Sequence, residues 1–136
     1  MITDLRNLWV IVLLLTACAP QENSLTGSWE LIAYGPQGSA TPAVTDSEAG
    51  LTFSEDGTMT GNSGCNSLGG TYEVEGDQIT FSTITSTLMA CDEARVEQEG
   101  AVHTVLNSTA TYSVEASTLT LTNDDVVLVF TFASNP

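Results

Sequence analysis

From Leu25 onward, short segments in which apolar and polar residues alternate are separated by turn signals, and this period of two restricts the chain to a β-rich fold. Trp29, Leu31 and Ala33 alternate with Glu30 and Ile32, Leu51 and Phe53 with Thr52 and Ser54, and Tyr72 and Val74 with Glu73 and Glu75. Ile79 with Phe81, Tyr112 with Val114 and Leu119 with Leu121 continue the pattern. Successive side chains of a strand point to opposite faces. Each segment therefore offers one apolar face to a core and one face, rich in Thr and Ser, to water. Asp56-Gly57 marks a tight hairpin, and Glu75-Gly76-Asp77 and Asn123-Asp124-Asp125 mark further turns. Pro36 to Thr45, with its Gly, Ser and Pro, reads as a loop. The last segment, Val126 to Phe132, is apolar on both faces. It is expected to lie centrally, covered on each side by a helix or an opposite sheet wall.

An internal echo supports the strands. Thr71-Tyr72-Glu73-Val74-Glu75 recurs as Thr111-Tyr112-Ser113-Val114-Glu115, and Ile79-Thr80-Phe81 as Leu119-Thr120-Leu121, both at an offset of 40 residues. Two equivalent hairpins are expected. Two repeats are too few for a propeller or solenoid.

One segment breaks the alternation. Between Asp92 and Asn107, the residues Ala94, Gln98, Ala101, Val102, Val105 and Leu106 fall on one side at helical spacing. Asp92 and Glu93 complement the helix dipole at its start. Arg95 is spaced to meet Asp92 and Glu99. Gly100 weakens the helix by about 1 kcal/mol relative to alanine.

The amino terminus has a different character. Arg6 precedes an unbroken apolar run, Leu8 to Leu15, followed by Thr16-Ala17-Cys18. The run is too short for a bilayer, which needs about twenty residues. The layout is that of a secretion leader. Its Leu-small-small-Cys ending resembles the lipobox of bacterial lipoproteins. That resemblance implies removal of residues 1–17 and lipidation of Cys18, with residues 18–24 as a tether. Because Ala19, not Asp, follows the lipid site, it also implies sorting to the outer membrane, facing the periplasm.

Charge narrows the partners. Asp4 and Arg6 leave together with the leader, so the formal charge stays at −15, and Arg95 is then the sole Lys or Arg. Nucleic acid and anionic head groups are repelled. The acidity suits either a basic partner or solubility and a salty habitat. With Cys18 lipidated, Cys65 and Cys91 form an even pair in an oxidising compartment and are expected to be disulfide-bonded. A metal or redox site is the alternative, disfavoured by the lack of a C-x-x-C spacing and of a nearby histidine.

Gly61-Asn62-Ser63-Gly64-Cys65-Asn66, Gly70-Thr71-Tyr72 and Thr87-Leu88-Met89-Ala90-Cys91 form a specific constellation. It resembles the G-x-x-G-C-N…G-x-Y…T-x-M-A-C pattern of the META domain of HslJ-like bacterial lipoproteins. Leu25 to Leu31 is similar to that family's opening, Glu99 with Ala101 and Leu106 to its helix, and Tyr112 to Leu121 to its closing hairpin. Val102 stands where the family usually has an aromatic residue. The resemblance implies a single domain over residues 25–134. Its fold would be α+β, mostly antiparallel: a small barrel-like curved sheet of about seven to nine strands with one helix near 92–107. It also implies a link to stress responses, with no defined molecular activity.

Read physically, these motifs are structural or binding elements. Gly61, Gly64, Gly69 and Gly70 permit crowded or left-handed backbone. Asn66 can brace its loop, and Met89 can fill a gap under the helix. Thr87, Tyr72 and Glu99 complete the candidate set. No catalytic residue, metal ligand or cofactor is expected. His103 is expected to face solvent, away from any nucleophile. Glu73 with Glu75 and Asp124 with Asp125 read as solvated strand and turn residues. The expected function is a monomeric, non-catalytic envelope lipoprotein that acts through binding. The alternatives are an inhibitor of a basic hydrolase and, more remotely, a hydrolase that depends on His103.

Overall fold

The computed structural model describes residues 24–135. The expected leader (1–17), the lipidation site Cys18 and the tether up to residue 23 lie outside the described residues. The elements run β1 (Gly27–Pro36), β2 (Thr41–Pro42), β3 (Gly50–Phe53), β4 (Thr58–Asn62), β5 (Ser67–Glu75), β6 (Gln78–Ser86), α1 (Glu93–Leu106), β7 (Thr109–Glu115), β8 (Thr118–Asn123) and β9 (Val126–Ser134). β1 pairs antiparallel with β3 and, farther along, with β2; it also pairs with β9 over most of its length. Eight antiparallel strands thereby close into a barrel, and β2 is an extra strand on its margin. This is the mostly antiparallel, barrel-like α+β fold with one helix that the sequence leads one to expect.

The two echoed segments form equivalent hairpins. Tyr72 stands opposite Phe81 and Val74 opposite Ile79; Tyr112 stands opposite Leu121 and Val114 opposite Leu119. At the predicted Asp56-Gly57 turn, Gly57 takes φ +87°. The Asp56 carboxylate accepts the Thr58 N–H at 3.0 Å and the Thr58 hydroxyl at 2.6 Å. Those bonds hold its pKa below the usual carboxylate value.

The eight-stranded barrel is just wide enough for side chains to fill. Phe53, Met59, Ile79, Leu119, Leu121, Leu128 and Phe130 fill it, and all are fully buried. Phe53 meets Tyr72 edge-on, with ring centroids 5.1 Å apart. The turns after β3, β5 and β7 share one end of the barrel with Ser24, where the described chain begins. The opposite end is covered by α1, whose Val102, Val105 and Leu106 join the same core cluster.

Four local expectations are corrected. A register shift after Leu31 turns Tyr34 inward and leaves Ala33 only half-buried, because an extra residue reverses the alternation. The loop read over 36–45 contains β2, which pairs with Ala33 and Tyr34. Val74 is exposed, because β5 runs past the core toward its hairpin. Ala94 is also exposed: the buried stripe of α1 starts only at Gln98. The final strand pairs on both edges, with β8 and β1; its Leu128 and Phe130 face the opposite wall across the barrel core, and α1 packs against it.

Removing a filler from this interior should be costly. Phe53→Ala is expected to lower the unfolding free energy by about 3–5 kcal/mol. Val74→Ala is expected to change it by less than about 1 kcal/mol. Urea denaturation measures both.

Candidate functional site

The motif residues that converge do so at the helix-covered end. β4 stops at Asn62 and β5 starts at Ser67, and the connection between them is a tight, internally bonded loop. The Asn62 side chain accepts the Gly64 N–H at 2.6 Å. The Ser63 hydroxyl accepts the Asn66 N–H at 2.9 Å and the Cys65 N–H at 3.3 Å. Gly64 sits at φ +95°, and a Cβ there would strike the Gln98 amide. That position therefore requires glycine on both conformational and steric grounds.

Asn66 is the hub. Its carbonyl oxygen accepts the Met89 N–H at 2.7 Å and the Thr87 hydroxyl at 2.9 Å. Its amide nitrogen donates to Glu99 at 2.7 Å and to the Met89 carbonyl at 3.5 Å. One buried side chain thus joins three segments: its own loop, the strap between β6 and α1, and α1 itself. A buried amide left unpaired costs about 1–3 kcal/mol, so this arrangement is stable only when complete. Among the described residues no buried side-chain nitrogen or oxygen lacks a partner.

The Cys65–Cys91 disulfide ties the same loop to the residue just before the helix, with Cα atoms 5.9 Å apart. Asp92 then caps α1 by accepting the Arg95 N–H at 3.0 Å, and its other oxygen pairs with the Arg95 guanidinium. The backbone bond first, and the guanidinium second, hold the Asp92 carboxyl below its ordinary pKa. Arg95 does not also reach Glu99 as its spacing suggests. Glu99 turns inward instead, where Asn66 and the Ser63 hydroxyl, at 3.0 Å, satisfy it.

Two network members were not legible as such. Gln98 is fully buried on the helix's apolar stripe. It accepts the Val44 N–H at 2.8 Å and donates to the Ser63 carbonyl at 2.8 Å and to the Ser47 hydroxyl at 3.2 Å. Ser63 is equally buried. The available signal was a glutamine among alanine and valine at core positions.

The remaining motif residues stand elsewhere. A Cβ at Gly61 would strike the Gly50 carbonyl, and one at Gly70 would lie 2.6 Å from Ile84 Cδ1, so both serve close strand packing in the barrel wall. Tyr72 donates its hydroxyl to the Ser54 carbonyl at 2.5 Å near the hairpin end, and burial pushes its phenol pKa up. Met89 does not fill a gap under the helix. Its backbone is held by Asn66 while its side chain is 65 % exposed.

Ser63, Glu99 and His103 lie close together, but their order is wrong for nucleophilic catalysis. Such chemistry needs the hydroxyl bonded to an imidazole base. Here the buried Ser63 hydroxyl donates to Glu99 Oε1, and His103 Nε2 lies 3.6 Å from that same oxygen, so the carboxylate stands between hydroxyl and imidazole. Among the described residues no three His, Cys, Asp or Glu side chains gather in a way that could hold a metal ion.

The META domain family matches residues 22–135. No curated protein matches the chain. Among solved structures, a protein from Burkholderia xenovorans determined by NMR is similar at 29% identity and a TM-score of 0.63, over 79% of this chain and 81% of that one. A DUF4847 family protein from Bacteroides vulgatus is similar at 15% identity and TM-score 0.58, over 82% and 95%. A lipocalin-like protein from Bacteroides uniformis is similar at 15% identity and TM-score 0.53, over 80% and 98%. The latter two likenesses concern the fold alone.

Asn66→Ala is expected to destabilise the protein by about 2–4 kcal/mol in denaturant titration, since it orphans partners in three segments. In non-reduced mature protein neither Cys65 nor Cys91 should be alkylated, as mass measurement would show. Replacing both by Ser should cost about 3.5 kcal/mol for a loop closed across 26 residues.

Proposed function

Because the chain belongs to the META domain family, we propose that it is a non-catalytic lipoprotein of the cell envelope, tied to stress and acting through surface binding. The observation that carries this reading is how the interior polar groups are used. The barrel is filled by side chains, and the Asn66–Gln98–Glu99 cluster is consumed by its own hydrogen bonds. Both are occupied by their own side chains, so a partner meets the outer surface, whose clefts include one lined by Ile84, His103, Thr104, Leu106 and Asn107. In this reading Cys18 carries the lipid, and the domain stands on its tether at the periplasmic face of the outer membrane.

A second reading is favoured by one electrostatic fact. Arg95, the sole Lys or Arg among the described residues, is engaged by Asp92. With a net charge of −15 and its one guanidinium paired, the protein would steer a basic hydrolase such as a lysozyme or protease toward it. In that case the protein is an inhibitor.

Anchoring is checked by metabolic labelling. Wild-type protein should incorporate palmitate and sediment with membranes, and Cys18→Ala should do neither; labelling that survives the substitution would refute the anchor. For the inhibitor reading, a panel of basic hydrolases assayed at low and high salt should show salt-sensitive inhibition, and full activity of every enzyme at low salt would dismiss it.

A further inference from the structure

We propose that the strap Thr87–Ala90 is the docking knob of this protein, and that its occupant is a positively charged envelope protein with an apolar pocket that receives Leu88 and Met89. This rests on the binding reading above and gives that reading a surface.

Leu88 is 97 % exposed, Met89 is 65 % exposed and Val96, in the opening turn of α1, is 51 % exposed. Scattered exposed apolar residues are ordinary and need no explanation. These differ in what lies beneath them. Thr87 donates its N–H to the Ser67 carbonyl at 3.1 Å and accepts the Ser67 N–H at 3.1 Å. The Thr87 hydroxyl and the Met89 N–H both bond Asn66, and Cys91 is tied to Cys65. A fully bonded buried side chain, Asn66, thus fixes a segment whose Thr87 turns inward and whose Leu88 and Met89 are exposed. With the backbone already fixed, association has to order only the side chains and not the strap itself. Methionine's flexible thioether suits an irregular pocket.

The rim defines the partner. Asp92, Glu93 and Glu97 follow the knob in sequence and are exposed, and the one nearby cation, Arg95, is paired with Asp92. An apolar centre bordered by charge is the anatomy of an interface hot spot, and here the border is acidic, so the complementary pocket is rimmed by Lys or Arg. A second copy of this chain fits poorly, because each carries −15. A bilayer fits poorly too. Ser24 lies at the hairpin end, so a lipid on Cys18, as proposed above, would attach on the side of the domain away from the knob.

The test uses the full-length chain in its host cell. A photo-reactive amino acid is placed at position 90, and separately at position 74 near the opposite end, and adducts are identified by mass spectrometry. The expected result is a position-90 adduct with an identified protein of net positive charge. Its yield should fall about tenfold or more in Leu88→Ser and in Met89→Ser. It should also fall in envelope preparations at about 0.5 M salt, where the Debye length is about 4 Å. Both positions are exposed, so thermal unfolding of the variants should match wild type. Adducts to phospholipid, to a second copy or to a neutral or acidic protein would overturn the proposal, as would a yield indifferent to Leu88→Ser. Adducts at position 74 alone would remove the knob and leave the binding reading standing. Adducts at neither position would overturn both.

Discussion

Strand β1 hydrogen-bonds along one edge to β3 and along the other to β9, and this double pairing decides the rest of the structure. An open sheet would leave two edges of unpaired backbone groups and one unburied apolar face. Closing the first strand onto the last removes both problems together. The register shift after Leu31 is part of that closure: it bends β1 and brings Tyr34 into the core. Once the barrel is closed, its bore is set by its eight strands, and Phe53, Phe130 and their neighbours fill it.

A closed barrel still has two ends, and the chain treats them differently. Short hairpins finish one. The other is covered by α1, whose buried face is too small to hold it by apolar packing alone, since only Val102, Val105 and Leu106 are buried hydrophobics there. Polar bonds make up the difference. Gln98 reaches the Val44 and Ser63 backbone, and Glu99 is held by Asn66 and Ser63. The Cys65–Cys91 bond fixes the start of the helix. Buried polar bonds are directional, so they specify one seating of the helix where apolar contacts would permit several. The G-x-x-G-C-N and T-x-M-A-C segments are thus explained as a lock between loop, strap and helix.

The consequence for function is a division of the molecule. Its interior and its polar cluster are committed to holding the fold. In the binding function proposed above, the acidic surface and the strap bearing the exposed Leu88 and Met89 are what a partner meets.

Much of this was legible in the residues. Alternation and turn signals located most of the strands, the echo at an offset of 40 residues announced two hairpins in matching register, and the change of period located the helix between Asp92 and Asn107. These are local properties, because side-chain direction follows backbone geometry over two to four residues. The Cys65–Cys91 pair was inferable from the cysteine count and the expected oxidising compartment. What only the tertiary structure decided is non-local. Residues distant in sequence determine that β9 closes on β1, that Glu99 abandons Arg95 for Asn66, and that Gln98 serves as a buried linker. The same holds for Met89, which shows its backbone to the hub and its side chain to solvent. A sequence states which groups need partners; the folded chain, by bringing loop, strap and helix within hydrogen-bond reach, decides which partners they find.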